Sequence, residues 1–182
     1  RSASAGGGTA DTVAGGQQLA DRSLGRSADG SWTLCVPTFG APNVTAALSS
    51  SAAVRINEWL AGTATLSLGD FIELFNPGRF PVDLGGHFLT DTPAGWPQRS
   101  PIRPLTFISP GGLLVFKADG RLAQGPDHVS FRLTPLQGEI ALVAPNLTLI
   151  DHVLYGPQRA DLSQGRAADP AGGFVTMSPS PG

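Results

Sequence analysis

VRINEWLAGTATLSLGDFIELFN, residues 54–76, decides the fold. Val54 and Ile56 share one side of an extended chain, and Ile72 and Leu74 share one side of the next run. That period of two marks half-buried strands. Asn76-Pro77-Gly78 then stops the second run as a turn. Toward the C-terminus the pattern repeats. Val82–Leu84 and His87–Thr90 flank Gly85-Gly86, which predicts a bent or bulged strand. Leu105–Ser109 runs into the turn Pro110-Gly111-Gly112, and Leu113–Ala118 is a mostly apolar strand. His128–Leu133 alternates, with Val129, Phe131 and Leu133 inward, and 139–145 with 147–155 reads as a hairpin around Pro145-Asn146. Gly173–Met177 closes the series. About eight or nine short strands, with turns every ~8–12 residues, predict an antiparallel β-sandwich spanning 54–182.

Composition agrees. The 182 residues include 24 Gly and 16 Pro, and only 14% are charged, which suits short strands and many turns. The net charge of −2 argues against nucleic acid, whose partners carry a basic excess. Cys35 is the only cysteine, so no disulfide can form within the chain; it reads as a small buried hydrophobe. No apolar run reaches the roughly 20 residues a membrane helix needs. Residues 1–16 lack the pattern of a signal peptide, and a start at Arg1 is expected of a processed chain or an excised piece.

On the N-terminal side, residues 1–17 and 44–53 read as small, polar linkers within an arm, 1–53. Between them lies QLADRSLGRSADGSWTLCVPTFGAPN, residues 18–43. Val13–Gly30 matches Val153–Pro170 at ten of eighteen positions with a constant offset of 140. The matches include Gln18/Gln158, Asp21/Asp161, Ser23/Ser163, Gly25/Gly165, Arg26/Arg166 and Asp29/Asp169. After a two-residue insertion Trp32 faces Phe174, Cys35 faces Met177, Pro37 faces Pro179 and Gly40 faces Gly182. Fixed-offset similarity marks duplication, so 13–43 is a second copy of the segment that closes the domain.

Taken in order, VRINEWL, DFIELFNPGRFPVDLGGHFLTD, SPGGLLVFKADG and the closing ADLSQGRAADPAGGFVTMSPSPG resemble the lamin tail domain of bacterial extracellular proteins. The resemblance covers about 53–182, and 13–43 matches the same ending. It implies an immunoglobulin-like antiparallel β-sandwich, non-catalytic, in proteins outside the cell or at its surface and often in tandem. Two places depart from the family pattern. His87 stands where an aromatic is common, and the loop 91–104 is rich in Pro.

Candidate chemistry is sparse. His87, His128 and His152 lack metal-ligand spacing and read as surface or turn residues. Glu58, Glu73 and Asp70 could supply a carboxylate pair for acid–base work, but Glu58 and Glu73 read better as neighbours that hydrogen-bond or pair with Arg55 or Arg79. Asp91, Asp119 and Asp127 are loop carboxylates that Ca²⁺ could use, without the spacing of a calcium loop. No other cofactor is expected. Asn43-Val-Thr45 and Asn146-Leu-Thr148 fit N-x-[ST]. The repeated corner, Asp21, Arg26 and Asp29 with Asp161, Arg166 and Asp169, predicts side-chain-capped turns and a local Arg–Asp bridge.

These readings point away from an enzyme. Residues 54–182 hold a full set of strands, which leaves the N-terminal copy surplus. Either it is the end of an upstream domain, or it docks on another subunit as a donor strand. The second case predicts self-assembly through Val13, Leu19, Leu24, Trp32, Leu34, Val36 and Phe39, head to tail and therefore open-ended as a filament. The rival is an adhesion or binding module, which an exposed cluster of Phe80, Trp59 and Trp96 would favour.

Overall fold

The computed structural model describes residues 2–3, 9–65, 67–167 and 173–182. Its strands in chain order begin with β1 (Ser2–Ala3), β2 (Thr9–Asp11), β3 (Ser23–Arg26), β4 (Trp32–Val36) and β5 (Val44–Thr45). The sandwich starts at β6 (Arg55–Leu60) and β7 (Phe71–Phe75), followed by β8 (Val82–Asp83), β9 (Phe88–Thr90), β10 (Ser100–Pro101) and β11 (Phe107–Ile108). It ends with β12 (Leu113–Lys117), β13 (Gly138–Val143), β14 (Leu149–Tyr155), β15 (Ser163–Arg166) and β16 (Phe174–Met177). The fold is all-β and antiparallel, as its alternation predicts; the described helix is two single turns of 3-10, Ser51–Ala53 and Leu122–Gln124.

Two sheets make the sandwich. One has the order β12-β7-β6-β15-β16, the other β10-β9-β13-β14, and β8 pairs with β11 beside them. Ile56, Trp59, Ile72, Leu74 and Phe116 from the first sheet share a buried cluster with Leu89, Ile140, Leu142 and Val153 from the second. Each such side chain contributes about 1.5–3 kcal/mol by leaving water. His128–Leu133 forms isolated bridges at His128 and Arg132 in place of a regular strand, although Val129, Phe131 and Leu133 are buried.

One irregularity positions the candidate site. The β6–β7 register shifts between Ile56 and Glu58, so Asn57 is an extra residue. Ile56 then pairs with Leu74 and Trp59 with Ile72, while Glu58 sits opposite Glu73. The bulge lets Ile56 and Trp59 both face the core with Leu74 and Ile72, and sends the two carboxylates to the outer face of the sheet.

The N-terminal segment is more structured than its small-residue composition suggests. β3, β4 and β5 form their own sheet. It lies on the sandwich through Leu34, Leu105 and Phe107, with Leu19, Leu24, Trp32 and Ala46 packed around them. The Gly16 N–H donates to Pro104 O at 3.0 Å. A Cβ at Gly16 would fall 1.8 Å from Thr106 Oγ1, so only glycine permits this approach. Residues 44–53, expected as a linker, hold β5, a parallel bridge from Ser49 to Val82 and the first 3-10 turn. Small side chains let this stretch lie flat on its neighbours: the Ser49 N–H donates to Pro81 O at 2.8 Å.

Candidate functional site

The repeated segment folds twice into the same hairpin. In β3–β4, Ser23 pairs with Cys35, Leu24 with Leu34, Gly25 with Thr33 and Arg26 with Trp32. In β15–β16, Ser163 pairs with Met177, Gln164 with Thr176, Gly165 with Val175 and Arg166 with Phe174. Asp21 and Asp161 open the two hairpins with left-handed backbones, φ 56° and 61°. Asp tolerates that region better than most residues. Gln18 Nε2 donates to Gly16 O, and Gln158 Nε2 to Gly156 O. Arg26 lies 4.7 Å from the Trp32 ring centroid, and Arg166 lies 4.8 Å from that of Phe174.

The C-terminal hairpin is built into the main sheet. Gln164 and Gly165 pair with Trp59 and Glu58 of β6. The Arg166 guanidinium donates to Ile56 O at 2.9 Å and to Asp151 at 2.8 Å. The Asp161 carboxylate accepts the N–H groups of Ala64 and Thr65 and the Thr65 hydroxyl. That loop is itself held by Asp70, which accepts the Gly62 N–H at 2.8 Å and whose burial pushes its carboxyl above the usual carboxylate range.

The chain then turns back over the outer face of the sheet and covers both glutamates. Ser180 donates its N–H and its hydroxyl to the two oxygens of Glu58, at 3.0 and 2.8 Å. The Gly182 N–H donates to Glu73 at 2.8 Å, and Asn57 Nδ2 donates to its other oxygen at 2.7 Å. Glu58 is 2% exposed and Glu73 0%. Buried carboxylates need such donors, because an unmet charge out of water is costly. The expected basic partners are not these: Arg55 donates to the carbonyls of Ala52 and Val54. The bulge hides the clamp in the sequence, although both copies end on a Pro-x-x-Gly run, PTFG at 37–40 and PSPG at 179–182.

The N-terminal hairpin carries the same residues with different partners. No described strand flanks the outer edge of β3. The Asp21 carboxylate makes no hydrogen bond among the described residues. Arg26 bonds Asp11 at 3.0 Å and Gly30 O at 2.6 Å, on the surface. The local Arg26–Asp29 bridge is therefore not formed; Asp29 instead accepts Ser27 Oγ, Ser31 Oγ and the Ser31 N–H, closing the turn by itself. In the other copy Arg166 pairs with Asp151, and Asp169 lies outside the described residues. Thr38 Oγ1 reaches Ala41 O at 3.5 Å, and Phe39 is fully exposed.

The predicted arm residues thus divide. Leu19, Leu24, Trp32 and Leu34 lie against the chain's own Leu105 and Phe107, whereas Val13, Val36 and Phe39 are exposed.

Other candidates resolve into local structure. His87 is buried, bonded to Ser51 at 2.8 Å, with its pKa lowered by burial. His128 is nearly buried against Asp119, also at 2.8 Å. Both correct the expectation of surface histidines; each partner lies far enough along the chain that alternation alone does not reveal it. His152 pairs with Glu139. Asp91 pairs with Arg99, and Asp127 with Lys117. No group of three His, Cys, Asp or Glu among the described residues is placed to hold a metal ion. Trp59 is in the core, so it forms no surface cluster with the exposed Phe80 and Trp96. Among the described residues no helix is long and apolar enough to cross a membrane.

Compared with known proteins, the chain matches no family model, no curated protein and no solved structure.

Proposed function

We propose that the chain is a non-catalytic structural module, of the immunoglobulin-like lamin-tail type, that joins neighbouring copies of itself outside the cell or at its surface. One observation carries this reading. Two hairpins of related sequence and the same register exist in one chain; β15 of one is paired with β6, whereas among the described residues no strand lies beyond β3 of the other, where only the Asn43 side chain reaches, its Nδ2 donating to Arg26 O at 3.1 Å. A bare strand edge is a template for another chain, and proteins that do not use such an edge usually protect it. The contact would join unlike surfaces, so its repetition gives an open row of modules. His87, His128, His152, Glu58, Glu73, Asp91 and Asp127 are each taken up in an ion pair or hydrogen bond within the fold, which fits a structural role. Sedimentation velocity over a wide concentration range tests the reading. Growing mass with concentration supports it, and a single monomer boundary throughout overturns it.

A further inference from the structure

Resting on that reading, we infer that the N-terminal hairpin is an exchangeable duplicate of the C-terminal one, and that its receptor is β6 of a second copy, where Glu58 and Glu73 would receive Thr38 and Gly40.

Among the described residues, four groups attach the C-terminal hairpin. Asp161 grips the 64–65 loop, Arg166 reaches Asp151 and Ile56 O, and Ser180 and Gly182 meet Glu58 and Glu73. The counterparts in the first copy are Asp21, Arg26, Thr38 and Gly40. Three are identical, and Thr keeps the hydroxyl and N–H that Ser180 uses. None does that work where it now lies. Among the described residues Asp21 holds no loop, Arg26 is spent on a surface pair, Thr38 bonds its own turn, and a Cβ at Gly40 would meet nothing within 4 Å. A surface pair of this kind holds its partners weakly.

The differences between the copies say how the first is kept meanwhile. Leu24 and Leu34 are cross-strand neighbours where the second copy has Gln164 and Thr176. Those two leucines give the first hairpin an apolar face, and that face sits on Leu105 and Phe107. The seam is not closed: a hollow of about 340 Å³ separates residues 18–22 from Pro81, Ser109 and Pro110. In exchange, this face would leave Leu105 and Phe107 for the inner side of the receptor sheet. Trp32 would then take the place of Phe174, whose ring stands edge-on to Trp59 at 4.9 Å. The receptor's own hairpin must leave first. Being tethered, it competes at high effective concentration, so exchange rises with protein concentration.

Gly165→Val tests this in the full chain. A Cβ at Gly165 falls 3.1 Å from Asn57 O, so a branched side chain pushes the resident hairpin off β6 and frees the receptor. Assembly is expected at a concentration at least about tenfold below that of the wild type. Adding Arg26→Ala and Thr38→Val to the same chain should remove that gain. Wild-type protein gives a second measurement that does not depend on a variant folding. On assembly, hydrogen exchange should slow at 23–26 and quicken at 163–166. No gain in Gly165→Val, or a gain indifferent to Arg26→Ala and Thr38→Val, overturns the inference. If the wild type assembles with exchange unchanged at both hairpins, the receptor is wrong while self-joining stands. If neither protein assembles at any concentration, both fall.

Discussion

Strand β15 has β6 on one side and β16 on the other, whereas its twin β3 has only β4 among the described residues. The two hairpins share their register, the left-handed Asp and the Arg over an aromatic ring. They differ in the cross-strand pair on one face, Leu24 and Leu34 against Gln164 and Thr176, and in what lies beside them. The second copy is anchored by polar groups at its edge and tail, the first by two leucines on its face. The local sequence therefore specifies the hairpin, and the surroundings specify what it holds. Substitutions at equivalent positions should separate the two modes of attachment.

The largest contrast is expected at Leu34 and Thr176. Leu34 is 1% exposed and is the centre of the N-terminal contact. Leu34→Ala should weaken arm docking by about 2–4 kcal/mol, the usual cost of a buried Leu-to-Ala cavity. Limited proteolysis then cuts within 17–45 while the thermal transition of the sandwich stays in place. Thr176→Ala, at an exposed site, should stay within about 0.5 kcal/mol of wild type. A sandwich transition that falls with Leu34→Ala would mean the arm and the sandwich melt as one unit.

Arg166 and Arg26 come next. Arg166 joins a carbonyl of β6 and an Asp151 side chain only 14% exposed. Its loss leaves that carboxylate short of a partner, at about 2–3 kcal/mol once the partial exposure of the arginine is discounted. Arg26→Ala breaks an exposed pair and should leave the melting curve unchanged. Equal shifts from the two substitutions would show that Arg26 has a partner beyond Asp11, Gly30 O and the Trp32 ring.

How much of this was legible in the sequence follows the range of each signal. β6, β7, β12, β13 and β14 were readable because alternation and turn chemistry are local properties. The fate of Glu58 was not. Counted by twos from Val54, it shares the face of Ile56; the bulge at Asn57 reverses the phase, and Glu58 turns out to the tail. Its donors lie 122 residues away, beyond any local pattern. His87 and His128 escape local patterns for the same reason, since Ser51 and Asp119 meet them only in the fold. The duplicated ending is legible as a repeat, yet only the sheet order shows that one copy pairs with β6 while the other has no described strand beyond β3.

A smaller contrast concerns the two left-handed aspartates. Glycine removes the backbone strain at either site, but it also frees the unfolded chain. At Asp21 these effects nearly cancel, so Asp21→Gly should stay within about 0.5 kcal/mol of wild type. Asp161→Gly additionally strips the 64–65 loop of its acceptor and should cost about 1–3 kcal/mol in a denaturant titration. Loss of stability at both positions would place a binding partner on Asp21 in the free chain.

The smallest effect lies in the turn of the first hairpin. The Ser27 hydroxyl, then the Ser31 hydroxyl and N–H, lower the Asp29 carboxyl to about 2. A carboxyl depressed in the folded state adds stability that is complete above its unfolded value near 3.8 and is lost as pH falls to about 2. The turn should therefore loosen only in that acid window, with no change between pH 5 and 8. The second copy has Ala167 where this turn has Ser27, so Ser27→Ala removes the strongest donor and makes the two turns alike at that position. Carboxyl chemical shifts followed by NMR should then show Asp29 titrating closer to 3.8. An Asp29 midpoint that ignores Ser27→Ala would mean that Ser31 alone sets the charge of this turn, and that the hydroxyl peculiar to the first copy contributes nothing to holding it.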